Sequence, residues 1–311
     1  MGLPTEFTDL AAAVRNWGRW GPDDELGTIN LVTPEVRRRA VACVRTGKAF
    51  SLALPLSESE GIQTGYMPGR INPVRTMAQL NSPILSDDPD HVRTNDDLVV
   101  MGLQCATHWD GLAHVSYGGH IWNGYPADTV TAAGAARCGI HRIRTLVGRG
   151  VLLDVARARG VERLEGGHAI TGEDLDAAEE LAGVRVEPGD VILVRTGQMA
   201  ALRERGGKRT YAAPSPGLSM QSVPWLRQRD VAAVATDTLV FEVFPGERDD
   251  LFLPVHMLHL VDMGLTQGQN FVLDELAADC ADDGVYEFLL EASPQPFTNA
   301  VGSPVNPVAV K

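Results

Sequence analysis

Residues 104–114 read Gln-Cys-Ala-Thr-His-Trp-Asp-Gly-Leu-Ala-His, and three side chains in that stretch can do chemistry together. His108, Asp110 and His114 share one parity. Residues two apart on an extended strand point to the same face, so one short segment offers two imidazoles and a carboxylate to one point in space. Those donors suit Zn²⁺, Mn²⁺ or Fe²⁺, and the simplest chemistry for such a centre is hydrolysis. The bland alternative is a loop with ordinary polar residues. The third aligned residue and the crowded aromatic and glycine neighbourhood weigh against it. Cys105 has the opposite parity, so on a strand it faces away, which argues against a nucleophilic thiol.

A metal is held rigidly only by ligands from more than one segment. His256 and His259, in Pro254-Val-His-Met-Leu-His-Leu-Val-Asp-Met-Gly264, are the natural second source. Three-residue spacing on a helix puts both imidazoles on one face, and the alternative is an amphipathic helix with exposed histidines. Asp237 and Glu242 follow an apolar run, a common place for site residues, although Asp237 equally suits a turn hydrogen bond. His91 and His120 flank the central stretch. His120, with Trp122, Asn123 and Tyr125, is a candidate lining of a substrate pocket.

The elements that must position these groups read as alternating strands and helices. Residues 34–47 predict a helix with Thr33 as N-cap, Pro34 at the first position and Gly47 as the stop. Thr171 and Asp174 resemble a capping box that opens a helix over 172–183, closed by Gly183. A third helix is expected over about 272–283, after Asn270 and before Gly284. Strands are expected at 150–154, 190–195, 231–235 and 286–290. Their continuous apolar character suggests burial on both faces, hence an α/β layered domain. No stretch looks like an interdomain linker, so the reading is one domain over 1–311 with an irregular N-terminal portion of about 1–75.

Composition narrows the function. The 311 residues are 44% hydrophobic and 22% charged, ordinary values for a globular protein. The formal net charge of −13 opposes phosphate backbones, so nucleic acid is not an expected partner. No apolar run reaches the 18–20 residues or so that span a bilayer, and no membrane partner is expected. The first ten residues lack a basic start followed by an apolar stretch, which points to the cytoplasm. The four scattered cysteines are expected to be free thiols. Gly-x-Ser-x-Gly, phosphate-loop, His-Glu-x-x-His and Gly-x-Gly-x-x-Gly motifs are absent.

With these residues in hand, the sequence resembles the metal-dependent cyclase-like hydrolase family, which includes bacterial kynurenine formamidase and isatin hydrolase. The family signature is His-x-Gly-Thr-His-x-Asp-x-Pro-x-His, and Thr107, His108, Asp110 and His114 match it. Further ordered matches are Trp17-Gly-Arg-Trp-Gly-Pro-Asp, Gly150-Val-Leu-Leu-Asp-Val-Ala, Gly189-Asp-Val-Ile-Leu-Val-Arg-Thr-Gly, Ala235-Thr-Asp237 and Gly302-Ser-Pro-Val-Asn-Pro. The resemblance implies a swivelling β/α cyclase-like fold with a central mixed β-structure packed with helices. It implies hydrolysis of an amide, cyclic amide or lactone, and often a homo-oligomer. It makes His108 and Asp110 metal ligands, His114 the proton-transferring histidine and His256 a later ligand. Gln269 falls where the family places a ligand glutamate.

The departures carry information. Gln104 stands where the first ligand histidine is expected, and Gln269 replaces a carboxylate. Two dications held close together need bridging carboxylates to offset their repulsion, and Asp110 is the one matching carboxylate. One divalent ion, Mn²⁺ or Zn²⁺, is therefore expected, with the glutamines as neutral oxygen donors. Trp109 should point away and brace the strand. The expected substrate is a small cyclic or aromatic molecule, contacted by His120, Trp122, Tyr125 and Asp237. Two alternatives remain: a metal-assisted cyclisation or dehydration, and a metal-free ligand-binding relative, the latter motivated by Gln104 and Gln269.

Overall fold

The structure is a computed structural model, and it describes residues 2–57, 70–204 and 206–311. Nine strands form one mixed sheet: β1 (Ala49–Ser51), β2 (His108–Asp110), β3 (Val147–Asp154), β4 (Val191–Arg195), β5 (Ala233–Thr236), β6 (Thr266–Gln269), β7 (Glu287–Glu291), β8 (Gly302–Pro304) and β9 (Val308–Val310). Their spatial order is β1-β9-β7-β3-β4-β5-β6-β2-β8. The central run β3-β4-β5-β6 is parallel, and every other pairing is antiparallel.

Alternate residues of the parallel strands feed two separate cores. Val151, Leu153, Ile192, Val194 and Val234 meet Phe7, Leu175 and Leu226 from helices Thr5–Val14, Gly172–Ala182 and Val223–Gln228. Leu152, Leu193, Ala233 and Ala235 meet Val36 and Leu276 from helices Pro34–Ala42 and Asp274–Asp283. Both faces of the sheet are thus covered, which is why these strands read as unbroken apolar runs.

The expected helices form close to their predicted places. Thr33 caps Pro34–Ala42, although the helix ends five residues before Gly47. Thr171 and Asp174 make a reciprocal capping box, and Gly183 closes that helix in the left-handed conformation. Gly284 closes Asp274–Asp283 in the same way, but Leu273, not Asn270, precedes its first turn. The N-terminal portion is more regular than expected, since it also holds helix Thr5–Val14, which buries Phe7, Ala11 and Val14. The segment with His256 and His259 departs most. A short α-turn, Pro254–His256, runs into a π-helix over Met257–Met263, so ordinary helical spacing does not apply there.

Among the described residues no helix is long and apolar enough to cross a membrane. A long antiparallel ribbon, Val74–Pro83 with Arg93–Val100, projects from the body with nearly every residue exposed.

Gly268 sets the distance between the site strands and the core beneath them. A Cβ there would lie 2.7 Å from Phe271, 2.8 Å from Trp109 and 2.9 Å from Ala235. Gly268→Ala is therefore expected to destabilise the fold by about 1–3 kcal/mol through overpacking, measured as a lower urea unfolding midpoint.

Candidate active site

The register of three neighbouring strands assembles the site. Asp110 pairs with Gln267 and Gly302, and His108 with Gln269 and Pro304. Side chains at paired positions share a face, so His108, Asp110, Gln267 and Gln269 all project one way. Trp109 projects the other way, fully buried in the core, with its indole N–H donated to the Ala292 carbonyl at 2.8 Å. His114 lies beyond the strand and arrives by a turn closed by its N–H and the Gly111 carbonyl. Its convergence with Asp110 was expected from strand parity, but the turn is what produces it.

Asp110 is the centre of the cluster. His108 Nε2 and His114 Nε2 lie 3.5 and 3.6 Å from Oδ1, and His256 Nε2 lies 3.9 Å from Oδ2. Gln269 donates its amide N–H to Oδ2 at 2.7 Å, and Gln267 approaches the same oxygen at 3.4 Å. Burial pushes the Asp110 carboxyl up, but His114, His108 and His256 outweigh it and hold the group below the usual carboxylate range. Burial also lowers the His114 pKa; Asp110 opposes that shift, and His256, Arg70 and His108 add to it, so the imidazole is neutral at pH 7.

Outer contacts fix the ring orientations. His108 Nδ1 donates to the Ala106 carbonyl at 2.7 Å, which turns Nε2 towards Asp110. Asn270 donates to the same carbonyl, and Thr107 donates to the Asn270 carbonyl. His256 Nδ1 hydrogen-bonds Glu242, whose carboxylate also accepts the backbone N–H groups of Val255 and His256. Three non-glycine residues with positive φ adjoin these groups: Phe241 (73°) beside Glu242, Leu253 (53°) near His256 and Asn270 (61°) after Gln269. Such backbone strain persists where surrounding structure enforces it, and it gathers at functional sites.

A cavity of about 330 Å³ opens over this cluster. Arg70, His114, His256 and Gln269 face it alongside apolar side chains that include Leu239, Val240, Phe244 and Leu253. A larger hollow of about 790 Å³ elsewhere is lined by Arg157, Arg163, Arg195 and Arg203. Those arginines are already paired with Asp154, Glu204 and Asp274, so it offers no comparable centre.

Several expected positions fall outside the cavity. Asp237 is buried and accepts from the Thr196 N–H, the Thr196 hydroxyl and the Gly197 N–H, which makes it the anchor of a turn. Trp122 packs against Gly264 and Trp20 and donates its indole N–H to Asp24. Tyr125 lies under the Arg137 guanidinium, and exposed His120 meets the Trp17 ring. Trp122 and Tyr125 belong to a separate aromatic core cluster, and none of the three lines this cavity. Gln104 lies over Gly302, whose missing Cβ leaves room for the amide. Gln269 serves Asp110 as a hydrogen-bond donor through its amide nitrogen. Cys105 is buried and its thiol is pushed up to about 11 by burial, unsuited to nucleophilic attack.

Glu242 was visible in the sequence only as a polar residue past a strand, and its hold on His256 required the fold. Gln267 could have been read from its parity with Gln269. Nothing in the sequence singles out Arg70.

The family model described as "Putative cyclase" matches residues 29–243. The chain belongs to this cyclase family. Its fold closely matches a crystal structure described as a novel cyclase, with 38% identity, a TM-score of 0.88 and coverage of 97% of this chain and 99% of that one. Isatin hydrolase A from Labrenzia aggregata, bound to benzyl benzoate, shares 19% identity over 87% of this chain and 94% of its own, with a TM-score of 0.62. A predicted metal-dependent hydrolase from Bacillus stearothermophilus shares 16% identity over 85% and 98%, with a TM-score of 0.53. At such identities the likeness shows the cyclase-family fold. No curated protein matches the chain.

His259 gives a pH prediction. It is fully buried in the π-helix against Phe241, and neither ring nitrogen makes a well-formed hydrogen bond. Burial lowers its pKa to about 3, His256 adds to the shift and Gln267 opposes it. The unfolded chain binds this proton near pH 6.5 and the folded chain does not. Stability from this group is thus complete above about pH 6.5 and is lost as pH falls towards 3, by at most about 1.4 kcal/mol per pH unit. Urea midpoints between pH 7 and 4 should fall less steeply in His259→Phe than in the native protein.

Proposed function

We propose that this cyclase-family protein is a metal-dependent hydrolase that opens an amide, cyclic amide or lactone. One observation carries the reading. His108 Nε2 and Asp110 Oδ1 are buried, lack hydrogen-bond partners and lie 3.5 Å apart, with His114 Nε2 3.6 Å from the same oxygen. A buried lone pair left unpaired costs stability unless it has a use. Two ligands on one tetrahedral ion with bonds of about 2.1 Å stand about 3.4 Å apart, close to this spacing.

Among the described residues no ready-made set of three or more His, Cys, Asp or Glu ligands is present. With Gln104 and Gln269 where charged ligands would otherwise stand, the donors suit one divalent ion, Mn²⁺ or Zn²⁺. His108 and Asp110 would hold it, and His256 or a glutamine oxygen would complete the protein's share. When bound, such an ion acidifies water and polarises a carbonyl.

The residues themselves supply the proton traffic. His114, neutral at pH 7, accepts a proton from the attacking water and returns it to the leaving nitrogen or oxygen. Glu242 keeps His256 oriented, and Gln269 keeps Asp110 in place through its N–H. The apolar walls hold a small ring system and keep bulk water away. Isatin hydrolase A has been observed with benzyl benzoate, an aromatic ester. That supports a small aromatic or cyclic substrate here.

The test is a hydrolysis screen of N-formyl aromatic amines, cyclic amides and lactones with Mn²⁺ or Zn²⁺, together with metal analysis. His108→Ala should lose the metal. His114→Ala should keep it while turnover drops by about 10²–10⁴-fold. Full activity in both variants sinks the proposal.

A further inference from the structure

The orientation of His108 traces back to a tyrosine hydroxyl outside the cluster. A carbonyl oxygen only accepts, so the 2.7 Å contact with Ala106 places a proton on His108 Nδ1. The same carbonyl accepts the Asn270 side-chain N–H at 3.0 Å. That contact turns the Asn270 amide nitrogen towards Ala106 and its oxygen the other way. The amide oxygen then accepts the Tyr211 hydroxyl at 2.7 Å. Tyr211 is wholly buried, and burial together with Asp237 raises its pKa well above the ordinary value, so the phenol keeps its proton and donates. Three segments of the chain thus form one line, from Tyr211 through Asn270 and Ala106 to His108.

Asn270 has little freedom to absorb a change. Its backbone N–H donates to the Thr238 carbonyl at 3.0 Å, and its own carbonyl accepts the Thr107 hydroxyl. Its φ of 61° is one that asparagine adopts more readily than most residues. With the backbone pinned, rotation of the side-chain amide is the motion left, and the Tyr211 hydroxyl opposes it. Tyr211 also belongs to the frame of the cavity. It lies in the helix Gly207–Ala212, and it packs in one cluster with Ala212, Leu239 and Val240, all of which line the cavity.

A hydrogen bond in a buried chain counts for more than one in water, and the groups behind a ligating histidine set its tautomer and ring angle. We propose that Tyr211 is a positioning residue for His108. Acting through Asn270 and the Ala106 carbonyl, its hydroxyl holds the imidazole in the orientation that turns Nε2 towards Asp110. The use made of Nε2 rests on the hydrolase reading; the orientation itself does not.

Two measurements on the full-length protein test this. In EDTA, the Nδ1–H of ¹⁵N-labelled His108, assigned by its absence in His108→Ala, should give a sharp and slowly exchanging NMR signal, as a buried hydrogen-bonded proton does. Tyr211→Phe removes one hydroxyl and should speed that exchange by about 3- to 10-fold. By calorimetry the same variant should bind Mn²⁺ about 10-fold more weakly. Asn270→Gly, unstrained at this φ, should weaken Mn²⁺ by up to about 100-fold. Adding Tyr211→Phe to it should cost nothing further, because the two residues act in series. Thr171→Ala removes a distant helix cap and should lower the urea midpoint while Mn²⁺ affinity stays native. The proposal is overturned by unchanged exchange in Tyr211→Phe, by equal acceleration in Thr171→Ala, by native Mn²⁺ affinity in Tyr211→Phe, or by additive losses in the double variant. If the native protein binds no Mn²⁺, the hydrolase reading falls, and the exchange rates alone decide the role of Tyr211.

Discussion

A single buried carboxylate organises this molecule. Asp110 has no exposure to solvent, yet it is held ionised by three histidines and two glutamine amides. An unpaired charge in that position would unfold the local sheet, so the strands on either side of β2 must deliver their polar groups in register. Gln267 and Gln269 can do so because β6 runs antiparallel to β2 with Asp110 opposite Gln267. A one-residue slip would turn both glutamines into the core and bring Gly268 to face the site.

The glycines and aromatic side chains behind the sheet follow from the same demand. Trp109 occupies the core side of β2, and Gly268 leaves space for it and for Phe271. Gly302 leaves space for Gln104 on the site side. Three non-glycine residues with positive φ, Phe241, Leu253 and Asn270, lie nearby. The site is therefore polar and hydrogen-bonded around Asp110 and apolar along much of the cavity wall.

Much of this was legible in the chain. The central stretch, the helix caps at Thr33 and Thr171, and the apolar strands at 150–154 and 190–195 all have local causes, and local causes survive into the fold. The substrate-pocket assignments of His120, Trp122 and Tyr125 did not follow the same course. Their proximity in sequence to His114 suggested proximity in space, but beyond His114 those rings pack around Trp17, Trp20 and Gly264. Asp237 sits past a strand end, where site residues gather, but two backbone N–H groups and a hydroxyl claim it first.

The sequence by itself determined the chemistry of the donors, the α/β class and the faces of the strands, because residue type, parity and capping act over a few positions. Only tertiary structure decided which distant groups meet Asp110. β6 brings Gln267 and Gln269 through strand pairing, and the turn at Pro254 brings His256 with Glu242 behind it. Arg70 reaches the cavity from a stretch with no local signal at all. Those meetings depend on long-range register and on a π-helix that no short-range pattern encodes, and they gather a histidine-rich segment and two glutamines around one buried carboxylate.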